Sequence, residues 1–374
     1  MDSLNVSILV ILVFLLLNLL KNLTILDDQE NPDLTERLPL VSILLPARNE
    51  ERTIRKCVES LLTQDYPHFE LIVLDDNSTD KTYEILQEIA EKHKKLKVLK
   101  GASLPPDWHG KNWACHQLSQ RAKGKWLLFT DADTVHRPCS VSTAMASGLK
   151  NASDFVTCIP RLEARTWSEH IYMPIIHVVF YVLIPFYLLN FFGVSRIPFA
   201  MGPFMLIKRK MFYAIGGYER LKNSLIDDLS MAKAVKENKG KITVFDGSST
   251  MKIRFYTSFR ELWNGFSKNS YEAIEKKPYY AAGIFLVSYF LFIYPYLSLW
   301  HAFESNHGYL IPVVQVGIIC MIKIILALRF RTSLFCALLN PLTVILALLI
   351  LFNSLRLCLF KKKVEWKERY YPAE

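Results

Sequence analysis

The chain has 374 residues, of which 51% are apolar and 21% are charged, and its mean hydropathy is positive at +0.17. This composition argues against an ordinary soluble enzyme and excludes disordered and collagen-like chains. The formal net charge of +10 fits either a nucleic-acid partner or a membrane protein with basic cytosolic loops. Seven cysteines without a C-x-x-C pair argue against a disulfide framework or a zinc site.

An uninterrupted apolar run at residues 4–20 is about long enough to cross a bilayer. No Lys or Arg precedes this run and no small-residue cleavage site follows it. We therefore expect a retained membrane anchor rather than a cleaved signal peptide. Three further apolar segments lie near the C-terminus, at residues 279–303, 310–328 and 334–360.

Basic residues set the expected orientation of these segments. Lys21 follows the first apolar run, so the positive-inside tendency places the globular domain in the cytosol, on a multi-pass protein of the cell membrane. Three full C-terminal crossings would put Lys361, Lys362 and Lys363 on the opposite side, against the same tendency. We expect one of the three segments to be re-entrant or interfacial, with Asn340-Pro341 as a candidate break. The sequence leaves open which segment it is.

The region from Leu40 onwards alternates short apolar runs with amphipathic segments of helix length. This pattern predicts an α/β fold with a mostly parallel sheet and crossover helices. Strands are expected at residues 41–45, 71–74, 97–99 and 126–129. Helices are expected at residues 51–62, with Ile54, Val58 and Leu61 on one face, and at residues 79–93.

Acidic residues directly follow two of the expected strands. Asp75 and Asp76 come after the second strand, and Asp131 and Asp133 come after the fourth. The carboxyl ends of parallel strands are where ligands bind in open sheets. Two carboxylates spaced i, i+2 offer hard oxygen ligands to a divalent cation, which can neutralise a diphosphate. The structural alternatives are a helix N-cap for the first cluster and a turn for the second.

Five motifs occur together in a fixed order along the chain. They are PARNEE at 46–51, DDNSTDKT at 75–82, TDADT at 130–134, IGGYE at 215–219 and IDDLSMAKAVKENKGKI at 226–242. On these motifs, residues 40–269 resemble the family 2 glycosyltransferases. The resemblance implies a GT-A fold, which is a Rossmann-like mixed sheet for nucleotide-diphosphate sugars. It also implies a UDP-sugar donor, a divalent metal and inversion at the anomeric carbon.

The same resemblance implies roles for individual residues. Asp76, with Asp75 beside it, is expected to hold the uracil base, while Asp131 faces the ribose and the metal that Asp133 coordinates. The expected donor-binding residues are Pro46, Arg48, Glu50, Asp75, Asp76, Lys111 and Asp131, and the expected metal ligands are Asp131 and Asp133. Lys111 is expected in a loop, where it either contacts phosphate as a point charge or is a solvated surface charge. The metal can be Mg²⁺ or Mn²⁺, because both accept oxygen ligands.

Asp228 stands where members of the family carry the general base, and Asp227 beside it is expected to orient it. A carboxylate base fits the chemistry, because an acceptor hydroxyl must lose its proton as it attacks the anomeric carbon. The structural alternative is that one of these two aspartates caps the helix that follows.

The stretch SFRELWNGFSKN at 258–269 lacks the Q-x-x-R-W motif of processive synthases in the family, which favours transfer of a single sugar. The W-x-G-F-x-K-N form, the AMGP motif at 200–203 and the terminal VEWKERYY resemble bacterial carotenoid-acid (4,4'-diaponeurosporenoate) and hopanoid-associated glycosyltransferases. This resemblance implies a lipid acceptor, with glucose as the expected sugar. The alternatives are a processive polysaccharide synthase and a non-catalytic sugar-nucleotide-binding membrane protein. Nucleic acid is not an expected partner, and the oligomeric state stays open.

The expected organisation has four segments. They are a transmembrane anchor at 1–22, a cytosolic GT-A domain at 37–275, a membrane block at 276–360 and a basic cytosolic tail at 361–374. Residues 171–194 are apolar enough to cross a membrane, but Asp133 and Asp228 must act on the same donor from one side. We therefore expect interfacial helices there, forming part of the acceptor entrance.

Overall fold

The computed structural model describes residues 3–26, 38–186, 198–305 and 308–360, together with the backbone of 364–366 and 369–371. The chain divides into two compact units. The sheet unit comprises Leu26–Glu163 and Leu188–Arg254, and the apolar-helix unit comprises Met1–Ile25, Ala164–Tyr187 and Phe255–Glu374. Segments 164–187 and 255–275, which the sequence analysis assigns to the globular domain, therefore cluster with the apolar helices.

The strands of the described chain are β1 (Val41–Ala47), β2 (Phe69–Asp75), β3 (Leu96–Lys100), β4 (Trp126–Phe129), β5 (Thr134–His136), β6 (Phe155–Leu162), β7 (Met205–Lys208), β8 (Ile242–Ile253), β9 (Val364–Trp366) and β10 (Arg369–Tyr371). The first eight form one sheet in the order β3-β2-β1-β4-β7-β6-β8-β5. The pairs β1/β2, β2/β3, β1/β4 and β6/β8 are parallel, and the other three pairs are antiparallel. The four predicted strands are confirmed, and the α/β fold is a mixed sheet.

The helices are α1 (Ser3–Ile25), α2 (Ile54–Leu62), α3 (Thr82–Lys92), α4 (Gly110–Arg121), α5 (Ser140–Lys150), α6 (Trp167–Tyr172), α7 (Pro174–His177), α8 (Arg209–Ala214), α9 (Gly217–Arg220), α10 (Asp227–Glu237), α11 (Phe259–Asn269), α12 (Pro278–Phe292), α13 (Tyr294–Ser305), α14 (Leu310–Phe330), α15 (Leu334–Leu338) and α16 (Asn340–Leu359). A π-helix, Val178–Leu183, follows α7, and a short 3₁₀-helix, Glu272–Ile274, follows α11.

Strand β1 lies in the middle of the parallel half of the sheet and is buried on both faces. Its apolar run suits this place, because strands covered on both sides have no solvent face to fill with polar residues. The predicted face of α2, made of Ile54, Val58 and Leu61, is fully buried in the same core. Burying each such side chain contributes roughly 1.5–3 kcal/mol. This core fixes the position of the strand ends that carry the acidic residues.

Helix α3 begins three residues later than the sequence pattern predicts. Asp80 Oδ1 accepts hydrogen bonds from the backbone N–H of Thr82, at 2.9 Å, and from the Thr82 hydroxyl. Asp80 therefore holds the first residue of this helix, although the N-cap position itself is Lys81, whose side chain makes no capping bond. Asp75 and Asp76, which precede it, are left for another role.

The strand register brings the two acidic clusters to one edge of the sheet. Ala47 of β1 pairs with Asp75 of β2, and Leu44 of β1 pairs with Phe129 of β4. The three parallel strands therefore end close together, and the residues after β2 and β4 emerge at the same edge. Ligands bind at such edges in open α/β sheets.

Four helices of the described chain are long and apolar enough to cross a membrane, namely Ser3–Ile25, Pro278–Ser305, Leu310–Phe330 and Asn340–Leu359. They coincide with the four apolar segments of the sequence. The helix at Pro278–Ser305 is interrupted at Ile293 between α12 and α13, and α15 is separated from α16 at Leu339. This second interruption directly precedes the expected break at Asn340-Pro341. The number of crossings and their orientation stay predictions.

The described part of the predicted interfacial stretch consists of short helical pieces instead of one long helix. Helix α6 begins with a capping box, in which Thr166 and Glu169 exchange hydrogen bonds. Helix α7 and the π-helix follow it, and the remainder of residues 171–194 from position 187 onwards lies outside the described residues. The interfacial location stays a prediction.

Helix α1 makes specific polar contacts with this stretch. Asn22 is fully buried, and its Nδ2 donates to the carbonyl oxygens of Tyr181 at 3.0 Å and Ile184 at 2.6 Å. Its Oδ1 accepts from the backbone N–H of Phe186 at 3.2 Å. Asn18 Nδ2 donates to the carbonyl of Val182 at 2.7 Å. These amides supply partners for carbonyl groups that the end of the π-helix leaves without intrahelical bonds.

We predict that Asn22→Ala lowers the free energy of unfolding of the apolar-helix unit by about 1–3 kcal/mol, because it leaves buried backbone groups without partners. Unfolding of the full chain in mixed detergent measures this change. Thr24→Ala is the matched control, since Thr24 is exposed and bonds only to Lys21 of its own helix. Equal stability of the Asn22→Ala and Thr24→Ala variants would contradict the prediction.

Candidate active site

Lys111 is the positive centre of the acidic edge of the sheet. Its Nζ lies 2.9 Å from Asp131 Oδ1 and 3.5 Å from Asp227 Oδ1. Its side chain is 24% exposed, so it is not a solvated surface lysine. Lys111 lies in the first turn of α4 and not in a loop as expected. The ion pairs join a residue that follows β4 to a residue at the start of α10.

Asp228 joins this group through the backbone of Gly202. The N–H of Gly202 donates to Asp228 Oδ2 at 2.8 Å, and the N–H of Leu229 donates to Asp228 Oδ1 at 2.7 Å. The second bond resembles the capping alternative, but Oδ2 is directed at the site. A methyl group in place of a Gly202 hydrogen would lie 3.4 Å from Asp228 Oδ2, 3.5 Å from Asp131 Oδ2 and 3.6 Å from Lys111 Nζ. Gly202 therefore keeps open a space bordered by three charged side chains.

The turn that carries Gly202 is held by two buried threonines. Thr130 Oγ1 donates to the carbonyl of Pro203 at 2.7 Å. Thr157 Oγ1 accepts from the N–H of Met201 at 3.0 Å. The AMGP motif of the sequence is therefore fixed against β4 and β6, next to the acidic edge.

Asn112 fixes the start of α4 to the segment that leads to Asp227. Its Nδ2 donates to the carbonyl oxygens of Leu221 at 2.7 Å and Ser224 at 2.9 Å, and its side chain is buried. The N–H of His109 donates to the carbonyl of Lys222 at 2.8 Å. The side chains of Lys111 and Asp227 are therefore brought together by hydrogen bonds of their neighbours as well as by their own charges.

Tyr218 is a site residue to which the sequence analysis gave no role. Its hydroxyl donates to Asp227 Oδ2 at 3.1 Å, and the side chain is fully buried. Gly216 and Gly217 before it have φ of +88° and +56°, a conformation that glycine adopts without strain. The two glycines of the IGGYE motif indicate a tight turn, but the local sequence does not show that its tyrosine reaches Asp227.

The charges of the site shift the pKa values of its groups. Desolvation, and after it the negative charge of Asp227, raise the pKa of Asp228 to about 6. Desolvation alone would lower the pKa of Lys111, but the charges of Asp131 and Asp227 outweigh it and raise that pKa well above its ordinary value. Asp228 is therefore largely ionised at neutral pH and close to the range in which a carboxylate accepts a proton readily.

Asp133 has the features of a cation ligand. Its Oδ1 is buried and has no hydrogen-bond partner. Desolvation, followed by the charges of Asp131 and Glu50, raises the pKa of Asp133 to about 7. A divalent ion would compensate this carboxylate, so Asp131 and Asp133 fit a metal. Across the described ranges, no group of three or more His, Cys, Asp or Glu side chains could hold a metal. Further ligands would have to come from a diphosphate or from water.

Five of the residues expected to bind the donor form a second group at the ends of β1 and β2, and two of these, Asp75 and Asp76, are expected at the base. Arg48 Nη1 donates to the carbonyl oxygens of Asp76 at 2.7 Å and Asn77 at 2.9 Å. Asp75 and Asp76 are buried, and Asp75 Oδ1 has no hydrogen-bond partner. Pro46 lies within β1, and Glu50 follows it and adds its charge to that acting on Asp133. This oxygen of Asp75 is free to accept a hydrogen bond from a ligand N–H.

The sheet unit has a GT-A fold, with the acidic edge at the carboxyl ends of its parallel strands. The chain is similar to a mannosyltransferase from Pyrobaculum calidifontis, solved with GDP-Man and Mn²⁺, with a TM-score of 0.54 and 18% identity over 96% of this chain and 99% of that one. Residues 42–216 match the model of glycosyl transferase family 2. The match ends eleven residues before Asp227.

Two relatives share parts of the sequence. A beta-monoglucosyldiacylglycerol synthase from Nostoc is 42% identical over 98 residues, 26% of this chain and 20% of that relative. A 4,4'-diaponeurosporenoate glycosyltransferase from Staphylococcus haemolyticus is 24% identical over 243 residues, 61% of this chain and 60% of that relative. The chain thus spans a fifth and three fifths of the lengths of these two relatives.

We predict that Asp227→Asn moves the titration of Asp228 from about pH 6 towards the ordinary aspartate value of 3.8. The substitution removes a negative charge that disfavours ionisation of Asp228, while the opposing positive charge of Lys111 remains. Carbon-13 carboxyl titration of aspartate-labelled protein measures the shift, with Asp228→Asn to assign the signal. Asp154→Asn is the control, because Asp154 forms its ion pair with Lys208, at 3.1 Å, and not with a residue of the acidic edge. An unchanged pKa of Asp228 in the Asp227→Asn variant would show that the charge of Asp227 does not raise it.

Proposed function

We propose that the protein is a membrane-bound inverting glycosyltransferase that moves one sugar, glucose, from a UDP-sugar donor to a lipid acceptor. The acceptor class is a carotenoid acid or another isoprenoid or sphingoid lipid. The observation that carries this proposal is the convergence of Lys111, Asp131, Asp227 and Asp228 around Gly202 in a domain that matches the model of family 2. This arrangement combines a charge-binding group with a carboxylate base.

Asp228 is the general base of the proposed reaction. It takes the proton of an acceptor hydroxyl as the oxygen attacks the anomeric carbon and the bond to the diphosphate breaks. A carboxylic-acid acceptor is already ionised at neutral pH, so its oxygen attacks without transferring a proton. The rate of transfer therefore depends on Asp228 with a hydroxyl acceptor and much less with a carboxylate acceptor.

The leaving diphosphate needs positive charge. Lys111 supplies it as a point charge, and exchanges its contacts with Asp131 and Asp227 for phosphate oxygens. Asp131 and Asp133 would hold a divalent metal, which when bound neutralises the diphosphate. Asp75 and Asp76 receive the base of the nucleotide, and Arg48 holds the loop that carries Asp76 through its backbone bonds.

The apolar helices support the choice of a lipid acceptor, since a long hydrocarbon chain is insoluble and is available only in a membrane. The names of the two relatives point to glucosyldiacylglycerol and diaponeurosporenoate. We place the catalytic domain on the cytosolic face. In this orientation Lys21, Arg329 and Arg331, which flank apolar segments, all lie on the cytosolic side, where basic residues are favoured. Residues 171–194 serve as the interfacial acceptor entrance in this proposal.

We predict that Asp228→Asn lowers kcat about 10²–10⁴-fold with a hydroxyl acceptor and much less with a carboxylate acceptor. The assay uses the full chain in vesicles, UDP-glucose, and either diacylglycerol or a carotenoid acid, with mass spectrometry of the products. With the hydroxyl acceptor, the wild-type rate should fall below pH 6 as Asp228 becomes protonated. Asp154→Asn serves as the control with unchanged rates.

The same assay separates the alternatives. A single sugar per lipid supports the proposal, whereas a polymer identifies a processive synthase. Undiminished transfer by Asp228→Asn with diacylglycerol would remove Asp228 from the base role. Binding of UDP-glucose without any transfer by the wild-type chain would indicate a sugar-nucleotide-binding membrane protein.

We predict that Gly202→Ala lowers kcat/KM at least tenfold while the Tm stays unchanged. The added methyl makes only ordinary contacts of 3.4–3.6 Å, so the fold tolerates it, but it occupies the space that the charged groups border. Displacement of a reactant by about 1 Å can cost this much or more. Gly317→Ala is the matched control, because a methyl there meets no atom within 4 Å. Full activity of Gly202→Ala would show that reactants do not use this space.

A further inference from the structure

His136 is a buried histidine of the sheet unit to which the proposed reaction gives no role. It is the last residue of β5, three residues after Asp133, and is 4% exposed. Burial lowers the pKa of its imidazole to about 3, so the ring is neutral at physiological pH. A buried imidazole needs hydrogen-bond partners for both ring nitrogens, and both have them here.

The Nε2 atom of His136 lies within hydrogen-bond distance of two buried threonine hydroxyls. Thr130 Oγ1 is 3.0 Å away and Thr134 Oγ1 is 3.1 Å away. Thr130 donates to the carbonyl of Pro203 at 2.7 Å. Thr134 donates to the carbonyl of Asp131, also at 2.7 Å. One ring nitrogen therefore joins the turn of Pro203 to the loop of Asp131.

The Nδ1 atom fixes the orientation of the ring. Ser140 Oγ lies 3.1 Å from Nδ1 and donates its own proton to Gln64 Oε1 at 2.8 Å. The Ser140 oxygen therefore accepts from the Nδ1–H, and Nε2 is the unprotonated acceptor of the neutral ring. Gln64 is held in turn, because its Nε2 donates to the carbonyls of Ser60 at 3.0 Å and Arg137 at 2.9 Å. The protein alone thus sets the direction in which Nε2 points.

We propose that His136 is a positioning residue that sets the distance between two parts of the active site. Through one hydroxyl it holds the loop of Asp131, on the side of the leaving diphosphate. Through the other it holds the turn of Gly202, whose N–H donates to the base Asp228 at 2.8 Å. This distance matters for the rate, because an error of about 1 Å between reacting groups can cost roughly 10²-fold. The inference rests on the proposed function and adds to it a residue that does not touch the reactants.

Two substitutions separate the two ends of the imidazole. In His136→Asn the amide nitrogen takes the place of Nδ1, so the bond to Ser140 is kept and the threonine hydroxyls are out of reach. In His136→Gln the amide oxygen takes the place of Nε2, so an acceptor for the threonines is kept. We expect His136→Asn to lower kcat about tenfold or more, with the KM for UDP-glucose within about threefold of the wild-type value. His136→Gln should restore most of the wild-type kcat.

Amide hydrogen exchange tests the positioning without any substrate. Mass spectrometry of the full chain in uncharged detergent follows residues 131–136 and 201–204, which contain the N–H groups of both held segments. We expect both segments to exchange roughly three- to tenfold faster in His136→Asn, as the loss of a hydrogen bond predicts, and at the wild-type rate in His136→Gln. His93→Asn is the matched control, because His93 is exposed and directly follows α3.

Three results would overturn the proposal. They are wild-type exchange of both segments in His136→Asn, an unchanged kcat in the same variant, and an equal loss of kcat in the Asn and Gln variants, which would indicate general packing. The exchange measurement needs no donor, so it decides the role of His136 even if the wild-type chain transfers no sugar. That last outcome would reject only the proposed function.

A second variant covers the case in which His136→Asn does not fold. Thr134→Val keeps the imidazole and removes only its link to Asp131. This variant should exchange faster at residues 131–136 and have a lower kcat than the wild-type chain. Wild-type behaviour of Thr134→Val in both measurements would likewise overturn the proposal.

Discussion

The ammonium group of Lys111 offsets the repulsion among carboxylates that three separate segments bring to one edge of the sheet. It lies within 3.5 Å of Asp131 and Asp227, and its charge opposes the shift that Asp227 imposes on Asp228. Without this cation, desolvation and like charges would favour protonated carboxyls, which neither bind a metal nor accept a proton. The acid–base state of the whole edge therefore depends on the position of one side chain.

The contacts that fix the position of Lys111 leave few signals in the local sequence. Asn112 binds carbonyl groups more than one hundred residues further along the chain, and the turn with Gly202 is held by Thr130, which follows β4, and by Thr157 of β6. The ion pairs consequently rest on a rigid backbone. Such support matters because a charged group contributes most to catalysis when it is placed before the substrate arrives.

The strands and their acidic ends could be predicted from the sequence, because apolar runs and the residues that follow them are local features. The burial of α2 through Ile54, Val58 and Leu61 followed from helical periodicity. Tyr218 and Gly202 could not be assigned in the same way, since their partners Asp227 and Asp228 are reached only through the tertiary fold. The placement of Lys111 in a helix was also missed, since the glycine before it reads as a loop.

The hydrogen bonds of Asn18 and Asn22 limit which sequences can replace helix α1. A helix that only crosses a bilayer can be replaced by any apolar sequence of similar length. Asn18 and Asn22 instead supply side-chain donors to carbonyl groups around the end of the π-helix. Both the rotation and the register of α1 are therefore specified. Replacing it with an unrelated apolar helix of similar length would therefore lose the order of the segment that follows α7.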